Sequence, residues 1–240
     1  MKKVLAWVLC LMLTLGMVSV ASAEFAPVNK DDLKVGFVFI GDVSDKGYTY
    51  AHYQGLLDMQ QNLGLSDDQI LIKTNVSEDS SCETALRELV EAGCQIIFGN
   101  SYGYMNYMAE LADEYPEVIF SHCSGYMSND TNFNNYFGAI YQARYLAGIA
   151  AGLKTQTNKI GFVAAMQTPE VIGGFDAFAL GVQSVNPDAV VYVKYTNSWY
   201  DATLERQTAD ALLDLGCDVI GQHCDTANPQ IAAQERGVWG

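Results

Sequence analysis

The amino-acid sequence contains two copies of one pattern, and this repeat is the feature that most constrains its fold. Residues 34–38 (KVGFV) return as residues 159–163 (KIGFV), and residues 89–97 (LVEAGCQII) return as residues 212–220 (LLDLGCDVI). The two offsets are about 125 and about 123 residues, so the spacing inside each copy is nearly the same. Two copies of one half predict two lobes with a cleft between them, and such a cleft is a common place for a small ligand.

From residue 34 onward, short runs of Val, Ile and Phe alternate with longer amphipathic segments. This alternation is typical of βα units and of parallel sheets, so the predicted fold class is α/β. Strands are predicted at residues 35–40, 70–73, 95–98, 118–122, 136–140, 159–164, 190–195 and 218–223. Helices are predicted at residues 48–63, 82–92, 104–114, 142–154, 171–185, 202–215 and 229–236.

The first 23 residues have the pattern of a cleavable signal peptide. Lys2 and Lys3 precede a long apolar run, and the small residues Ala21-Ser22-Ala23 offer a cleavage site. We therefore expect an exported protein whose mature chain begins at residue 24.

Two lobes are expected to divide the mature chain, with the first at residues 24–140 and the second at residues 141–240. The second copy has no counterparts of the last two strands predicted for the first copy. We therefore expect the second lobe to be incomplete in this chain.

The net charge and the cysteine spacing indicate which kinds of ligand or partner are disfavoured. The formal net charge is −15, and removal of Lys2 and Lys3 with the signal peptide would make it about −17. Nucleic-acid binding is disfavoured, because phosphate contacts are made by Lys and Arg. The chain has no Cys-x-x-Cys motif, so we expect free thiols and neither a metal nor a cofactor. We expect a monomer.

Ligands of parallel α/β sheets bind beyond the carboxyl ends of the strands. That rule selects the loops at residues 41–48, 99–104, 121–125, 196–201 and 222–225, which are rich in aromatic and hydrogen-bonding side chains. Aromatic walls with a few polar groups suit a planar heteroaromatic ligand or a sugar. The repeat aligns two of these loops, and so it makes Asn100, Ser101, Tyr102 and Asp225 candidate ligand contacts.

Purely structural roles are open for other residues in these loops. Ser44 or Asp45 could cap the helix that is predicted to begin at Tyr48, and Asp201 could cap a later helix. Tyr48 and Trp199 could instead be packed lobe surface.

An esterase is a remote alternative. Residues 99–103 fit the nucleophile-elbow pattern G-x-S-x-G between a strand and a helix, and Asp201 and His223 follow Ser101 in the order Ser, Asp, His. However, Ser101 and His223 are expected in different lobes, and the repeat places a matching loop at His223. We therefore predict that the protein is not an enzyme.

Four segments carry a resemblance to a known family. Residues 34–55, including GDVSDKGYTYAH, residues 122–126 (HCSGY), residues 136–148 (YFGAIYQARYLAG) and residues 196–201 (TNSWYD) resemble the basic membrane protein family, the PnrA-like substrate-binding proteins of ABC transporters. The likeness covers about residues 34 to 240. It implies a type I periplasmic-binding-protein fold, with two Rossmann-like lobes, a hinge and closure on the ligand.

The resemblance also implies roles for single residues. Asp45 would be an acidic group at the ligand and Tyr48 an aromatic wall. Ser101 and Tyr102 would be first-lobe contacts. The second-lobe contacts implied by the family are Trp199 and Asp225.

Many members of this family bind purine nucleosides, and some bind free nucleobases or other heterocycles. Nucleoside binders often have Asp-x-x-Phe-Asn in the first loop, whereas this chain has Asp45-Lys46-Gly47-Tyr48-Thr49. A nucleobase is therefore as plausible as a nucleoside. The predicted function is a periplasmic receptor that delivers a purine nucleobase or nucleoside to an ABC permease. The alternatives are a receptor of the same fold for a sugar or another heterocycle, and a periplasmic sensor.

Overall fold

The computed structural model describes Phe25 and residues 27–240. The predicted signal peptide lies outside the described residues. The first part of the chain forms β1 (Val35–Val38), α1 (Tyr48–Leu63), β2 (Ile70–Lys73), α2 (Ser80–Glu91), β3 (Ile96–Gly99), α3 (Met105–Glu114), β4 (Ile119–Cys123) and β5 (Phe133–Tyr136). The second part forms α4 (Ile140–Lys154), β6 (Lys159–Ala164), α5 (Pro169–Val185), β7 (Val190–Tyr195), α6 (Ala202–Asp214), β8 (Val219–His223) and α7 (Asn228–Glu235).

The strands form two separate parallel sheets. The first has the order β2-β1-β3-β4-β5 and the second the order β7-β6-β8. Val35 of β1 pairs with Ile96 of β3, and Ile160 of β6 pairs with Val219 of β8. The first three strands of each repeat therefore have the same order, which confirms the predicted α/β class and the duplication behind it.

Each sheet is covered by helices on both faces. In the first lobe, Leu56 of α1 packs with Phe37 on one face, while α2 and α3 pack on the other face around Leu89. In the second lobe, α4 and α5 cover the face that carries Phe162, and α6 and α7 cover the opposite face around Leu212. The resulting three-layer lobes direct the carboxyl ends of both sheets toward a shared cleft.

Side-chain caps fix where several helices begin. The Asp79 carboxylate accepts a hydrogen bond from the Ser81 N–H at the start of α2, and the Thr168 hydroxyl accepts one from the Val171 N–H at the start of α5. The Asp201 carboxylate accepts from the N–H groups of Thr203 and Leu204 at 3.0 and 2.9 Å. Asp201 therefore caps α6, which is the structural role considered for it from the sequence.

The fifth strand lies earlier than predicted, at Phe133–Tyr136 instead of residues 136–140. The Asn132 side chain fixes this register, because its Nδ2 donates to the carbonyls of Ala112 and Val118 at 2.8 and 2.9 Å. Phe133 is thereby buried opposite Phe120. The prediction was wrong because the surrounding segment TNFNN carries no hydrophobic alternation.

Two further features concern the described residues as a whole. All five cysteines in this range are free thiols, and four of them are buried. Within the same range, no helix is long and apolar enough to cross a membrane.

Helices α4 and α5 cross with their backbones in close contact at two glycines. A Cβ atom added to Gly181 would lie 2.0 Å from the carbonyl oxygen of Tyr145, and one added to Gly148 would lie 2.0 Å from the carbonyl oxygen of Phe178. Only glycine fits at such a distance. These two glycines therefore allow α4 and α5 to pack closely against each other where they cross.

Substitution of Gly181 tests this contact. Gly181→Ala should lower the free energy of unfolding by about 1–3 kcal/mol, because the helices must separate to admit the methyl group. Gly173→Ala is the matched control in the same helix, since a Cβ there meets no atom within 4 Å. The control should raise stability by about 0.5–1 kcal/mol through helix propensity. Urea unfolding followed by circular dichroism measures both values, and equal effects of the two substitutions would contradict the close crossing.

Candidate functional site

A cavity of about 520 Å³ lies between the two lobes, at the carboxyl ends of both sheets. The first lobe and the segment before α4 contribute Ile40, Gly47, Tyr48, His52, Asn100, Ser101, Tyr102, Cys123, Ser124, Tyr136, Phe137 and Gly138. Helix α4 contributes Ile140 and Arg144, and the rest of the second lobe contributes Glu170, Trp199, His223, Cys224 and Asp225. Six of the seven predicted contact residues line this cavity. Their contact with a ligand stays a prediction.

Tyr48 forms part of the first-lobe wall. It is the first residue of α1, and its hydroxyl donates to the backbone carbonyl of Asn100 at 2.6 Å. Its ring packs edge-on against the His52 ring, with the centroids 4.6 Å apart. Burial, followed by the nearby Cys123 thiol, raises the pKa of Tyr48 well above its ordinary value, so the side chain stays a neutral phenol.

The loop after β3 carries the polar contacts of the first lobe. The Oδ1 of Asn100 accepts from the Ile40 N–H at 2.9 Å, while its buried Nδ2 has no partner among the described residues. A buried donor without a partner costs free energy, so a ligand acceptor at this point would be favoured. Glu78 holds the loop in place, because its carboxylate accepts from the Ser101 hydroxyl and from the Gly103 N–H.

Trp199 and Asp225 form the opposite wall. The Trp199 ring lies 6.4 Å from the Tyr102 ring and 6.2 Å from the His223 ring, measured between centroids. The Asp225 N–H donates to the Trp199 carbonyl at 3.1 Å, which ties the two loops of the second lobe together. Aromatic surface from both lobes therefore meets across the cavity.

Direct contacts hold the two lobes close together. The Tyr48 N–H faces the Asp225 carbonyl at 3.4 Å, and a Cβ added to Gly47 would lie 1.9 Å from the same oxygen. Glu170 accepts a hydrogen bond from the Ser124 hydroxyl of the first lobe and lies 3.2 Å from the His223 Nε2 of the second. The structure thus shows the lobes closed around the cavity.

Asp45 is the predicted site residue that does not line the cavity. Its carboxylate accepts from the backbone N–H groups of Gly47, Thr49 and Tyr50 at 2.8–2.9 Å. These are the free N–H groups at the start of α1, which require an acceptor. Asp45 therefore acts as a helix cap, which is the structural role considered for it from the sequence.

Several cavity residues were missed from the sequence, among them His52, Arg144 and Glu170. Glu170 lies in the first turn of α5, beyond the carboxyl end of β6, so the strand-end rule could have selected it. Arg144 lies inside one of the family-like segments, in α4. His52 likewise lies inside a family-like segment, at residues 34–55.

The nucleophile-elbow geometry is not formed. The Ser101 hydroxyl donates to Glu78 at 2.5 Å, and the imidazole of His122 contacts the backbone carbonyl of Ser101, not its hydroxyl, at 2.8 Å. Asp201 is engaged as the cap of α6, and His223 faces Glu170. The three residues of the esterase alternative therefore do not form a triad.

Burial shifts the pKa of two of the cavity residues, His52 and Asp225. It lowers the pKa of His52 to about 4, so this imidazole is neutral near pH 7. It raises the pKa of Asp225 to about 8, with further contributions from the charges of Glu205 and Asp45.

One further polar group at the cavity lacks a hydrogen-bond partner. The buried Nε of Arg144 has no partner among the described residues.

The fold and the interlobe cavity are those of a type I periplasmic binding protein. Among solved structures, an ABC transporter solute-binding protein from Aeropyrum pernix superimposes with a TM-score of 0.76 at 23% identity, covering 86% of this chain and 60% of that one. Residues 32–238 match the Bmp family, described as ABC transporter substrate-binding protein PnrA-like, and the chain belongs to that family.

Curated relatives extend the comparison. A putative ABC transporter glucose-binding protein of Haloferax volcanii is 36% identical over 89% of this chain and 54% of its own length. A purine-binding protein of Brucella abortus is 36% identical over 87% of this chain and 59% of its own length. A nucleoside-binding protein of Lactococcus lactis is 28% identical over 80% of this chain. The chain spans a little over half the length of these relatives.

Two substitutions separate the capping role of Asp45 from a role in ligand binding. Asp45→Ala should lower the free energy of unfolding by about 0.5–2 kcal/mol, because the N–H groups at the start of α1 lose their acceptor. Asp45→Asn keeps one acceptor oxygen, for the N–H groups of Gly47 and Tyr50, and loses the bond from Thr49, so it should cost less stability than Asp45→Ala and retain the wild-type affinity for a purine.

Thermal unfolding and calorimetry of the same samples give both quantities. Asp42→Ala is the control, since Asp42 lies in the same loop and its carboxylate accepts from the N–H and hydroxyl of Ser44, not from the N–H groups of α1. An Asp45→Asn protein that melts like the wild type yet loses purine affinity would make Asp45 a ligand contact.

Proposed function

We propose that this protein is the extracytoplasmic ligand-binding component of an ABC transporter and that it captures a purine nucleobase or nucleoside between its lobes. The observation that carries the proposal is the closed cavity, with Tyr48 and Tyr102 on one wall and Trp199 on the other. Stacking of a base on an aromatic ring contributes about 1–3 kcal/mol and favours planar ligands. The names of the Brucella abortus and Lactococcus lactis relatives support the same ligand class.

Polar groups in the cavity suit a purine edge. The free Nδ2 of Asn100 is a donor and the Asp225 carboxyl offers an acceptor, so both kinds of hydrogen bond are available. Carboxyl groups around the cavity disfavour a phosphorylated ligand, because like charges would be brought together without bulk water. A neutral base or nucleoside therefore fits better than a nucleotide.

Binding would stabilise the closed arrangement, since only the closed lobes supply contacts from both walls. The closed protein would then dock on a permease in the membrane, and the ligand would be released unchanged. The separation of Ser101 from a triad geometry supports a binding role without catalysis.

A sugar receptor is the second candidate, and it is favoured by the name of the Haloferax volcanii relative. Aromatic side chains stack on sugar rings as well as on bases. A sensor function remains an alternative with the same ligand site, and the absence of permease genes beside the gene would favour it.

Calorimetry of the full-length protein tests the ligand class. Adenine, adenosine, guanosine, hypoxanthine and glucose should be titrated under identical conditions. At least one purine should bind with a Kd below about 100 μM, which corresponds to roughly 5–6 kcal/mol of binding free energy. If glucose binds and no purine does, the sugar receptor replaces the purine receptor.

Substitution of Trp199 tests whether its ring stacks on the ligand. Trp199→Ala should lose about 1–3 kcal/mol of binding free energy for the best purine, since the stacking surface is lost. Tyr200→Ala is the matched control, because Tyr200 is the next residue and does not line the cavity. Equal affinities of the two variants, measured by calorimetry, would remove Trp199 from the site.

A further inference from the structure

The Glu170 carboxylate joins the two lobes beside the cavity. One of its oxygens accepts a hydrogen bond from the Ser124 hydroxyl of the first lobe, and the other lies 3.2 Å from the Nε2 of His223 in the second lobe. Among the described residues, the bond between Ser124 and Glu170 is the one side-chain hydrogen bond that joins the lobes. It forms only while the lobes are closed, because its donor and its acceptor belong to different lobes.

The bond between Ser124 and Glu170 is of a strong kind. A hydrogen bond to a carboxylate is shorter than one between neutral groups and about twice as strong. The Glu170 side chain is 14% exposed and Ser124 is 4% exposed, so water competes little for either group. The backbone contact between the lobes is weaker, because the Tyr48 N–H lies 3.4 Å from the Asp225 carbonyl oxygen, beyond the usual range of about 2.7–3.2 Å.

Both ends of this bond are fixed within their own lobes. Ser124 has a φ of 72°, a left-handed conformation that is uncommon for a residue other than glycine. Its N–H donates to the Tyr136 carbonyl at 3.0 Å, and its own carbonyl accepts from the Asn135 side chain. In the second lobe, His223 at the end of β8 contacts Glu170 in the first turn of α5. Strained residues that are held by their neighbours are typical of functional positions.

A purely local role for Glu170 does not account for this arrangement. An acidic residue in the first turn stabilises a helix through its dipole even when the side chain faces solvent. The Glu170 carboxylate is instead turned toward Ser124 and His223, and all three residues line the cavity. The His223 ring also lies 6.2 Å from the Trp199 ring, the proposed stacking surface. Closure on a base at Trp199 therefore assembles the bond beside it.

We infer that Glu170 is a latch for lobe closure: its hydrogen bond with Ser124 forms as the lobes close on a ligand and slows the escape of that ligand. In this role Glu170 is a positioning residue and not a ligand contact. The inference rests on the proposed capture of a ligand between the lobes, but not on the ligand being a purine. A bound ligand leaves only after the lobes separate, so loss of the latch should change the dissociation rate more than the association rate.

Stopped-flow fluorescence of the full-length protein measures both rates. The probe is whichever of adenine, adenosine, guanosine, hypoxanthine and glucose binds most tightly in calorimetry. Ser124→Ala and Glu170→Ala should each raise the dissociation rate about tenfold, which corresponds to about 1.4 kcal/mol. The association rate should change by less than about twofold.

A conservative variant and a control on the same helix accompany these substitutions. Glu170→Gln should raise the dissociation rate less than Glu170→Ala, because its amide oxygen still accepts from the Ser124 hydroxyl. Asp176→Asn is the control, since Asp176 is an exposed acid of α5 that does not line the interlobe cavity. The control should keep the wild-type rates.

The double variant distinguishes a shared bond from two separate effects. Ser124→Ala combined with Glu170→Ala should raise the dissociation rate about tenfold, as each single substitution does, because the same bond is lost in all three proteins. Independent effects of the two side chains would multiply to about a hundredfold. That result would overturn the latch.

A glycine variant separates the latch from a role in folding. Ser124→Gly removes the hydroxyl but suits the left-handed backbone, because glycine adopts positive φ readily. Its midpoint of urea unfolding should be no lower than that of the wild type, while its dissociation rate should rise as in Ser124→Ala. A lowered midpoint with a wild-type dissociation rate would assign Ser124 to folding alone.

The outcomes also separate the latch from the function on which it rests. Absence of binding by all five compounds would overturn the proposed capture and the latch together. Binding with wild-type dissociation rates in Ser124→Ala and Glu170→Ala would overturn the latch alone. A loss of affinity that comes from slower association would do the same.

Discussion

Backbone contact between the two lobes is the constraint on which the rest of the site depends. The carbonyl of Asp225 approaches Gly47 so closely that a Cβ there would lie 1.9 Å away. This approach places α1 of the first lobe against the loop after β8 of the second. Tyr48, Asn100, Trp199 and the Asp225 side chain come to line one cavity only because the lobes meet at this point. Separation of the lobes would expose each wall to water and leave half a site on either side.

Several acidic residues of this chain lie close to the cavity. Carboxyl groups from five different segments lie on or near it, and most accept hydrogen bonds from backbone or hydroxyl donors instead of pairing with basic side chains. Asp45 caps a helix, Glu78 holds a loop, and Glu205 fixes the loop that carries Asp225. Asp225 is the member of this group that has been left without a donor. The same acidic residues therefore hold the loops around the cavity and, together with burial, raise the pKa of Asp225.

The fold was largely predictable because its signals are local. Hydrophobic runs and helix-end signals in the sequence predicted β2, β6, β7 and α1 with the bounds that the structure shows. The repeat indicated two lobes. The strand-end rule also selected the loops of Asn100, Trp199 and Asp225. The register of β5 was not predictable, since it depends on the side chain of Asn132 reaching the carbonyls of Ala112, Tyr115 and Val118. Glu170 lies where the strand-end rule could have selected it, but its contact with Ser124 of the other lobe forms only when the lobes close.

The most direct measurement is a crystal structure of the full-length protein grown with adenine. The account predicts that the base lies in the interlobe cavity, stacked against Trp199, with its polar edge within hydrogen-bonding distance of the Asn100 and Asp225 side chains. The lobes should be closed, with the Tyr48 N–H facing the Asp225 carbonyl. Density for adenine outside this cavity, or a base bound within it away from both Trp199 and Asp225, would contradict the account.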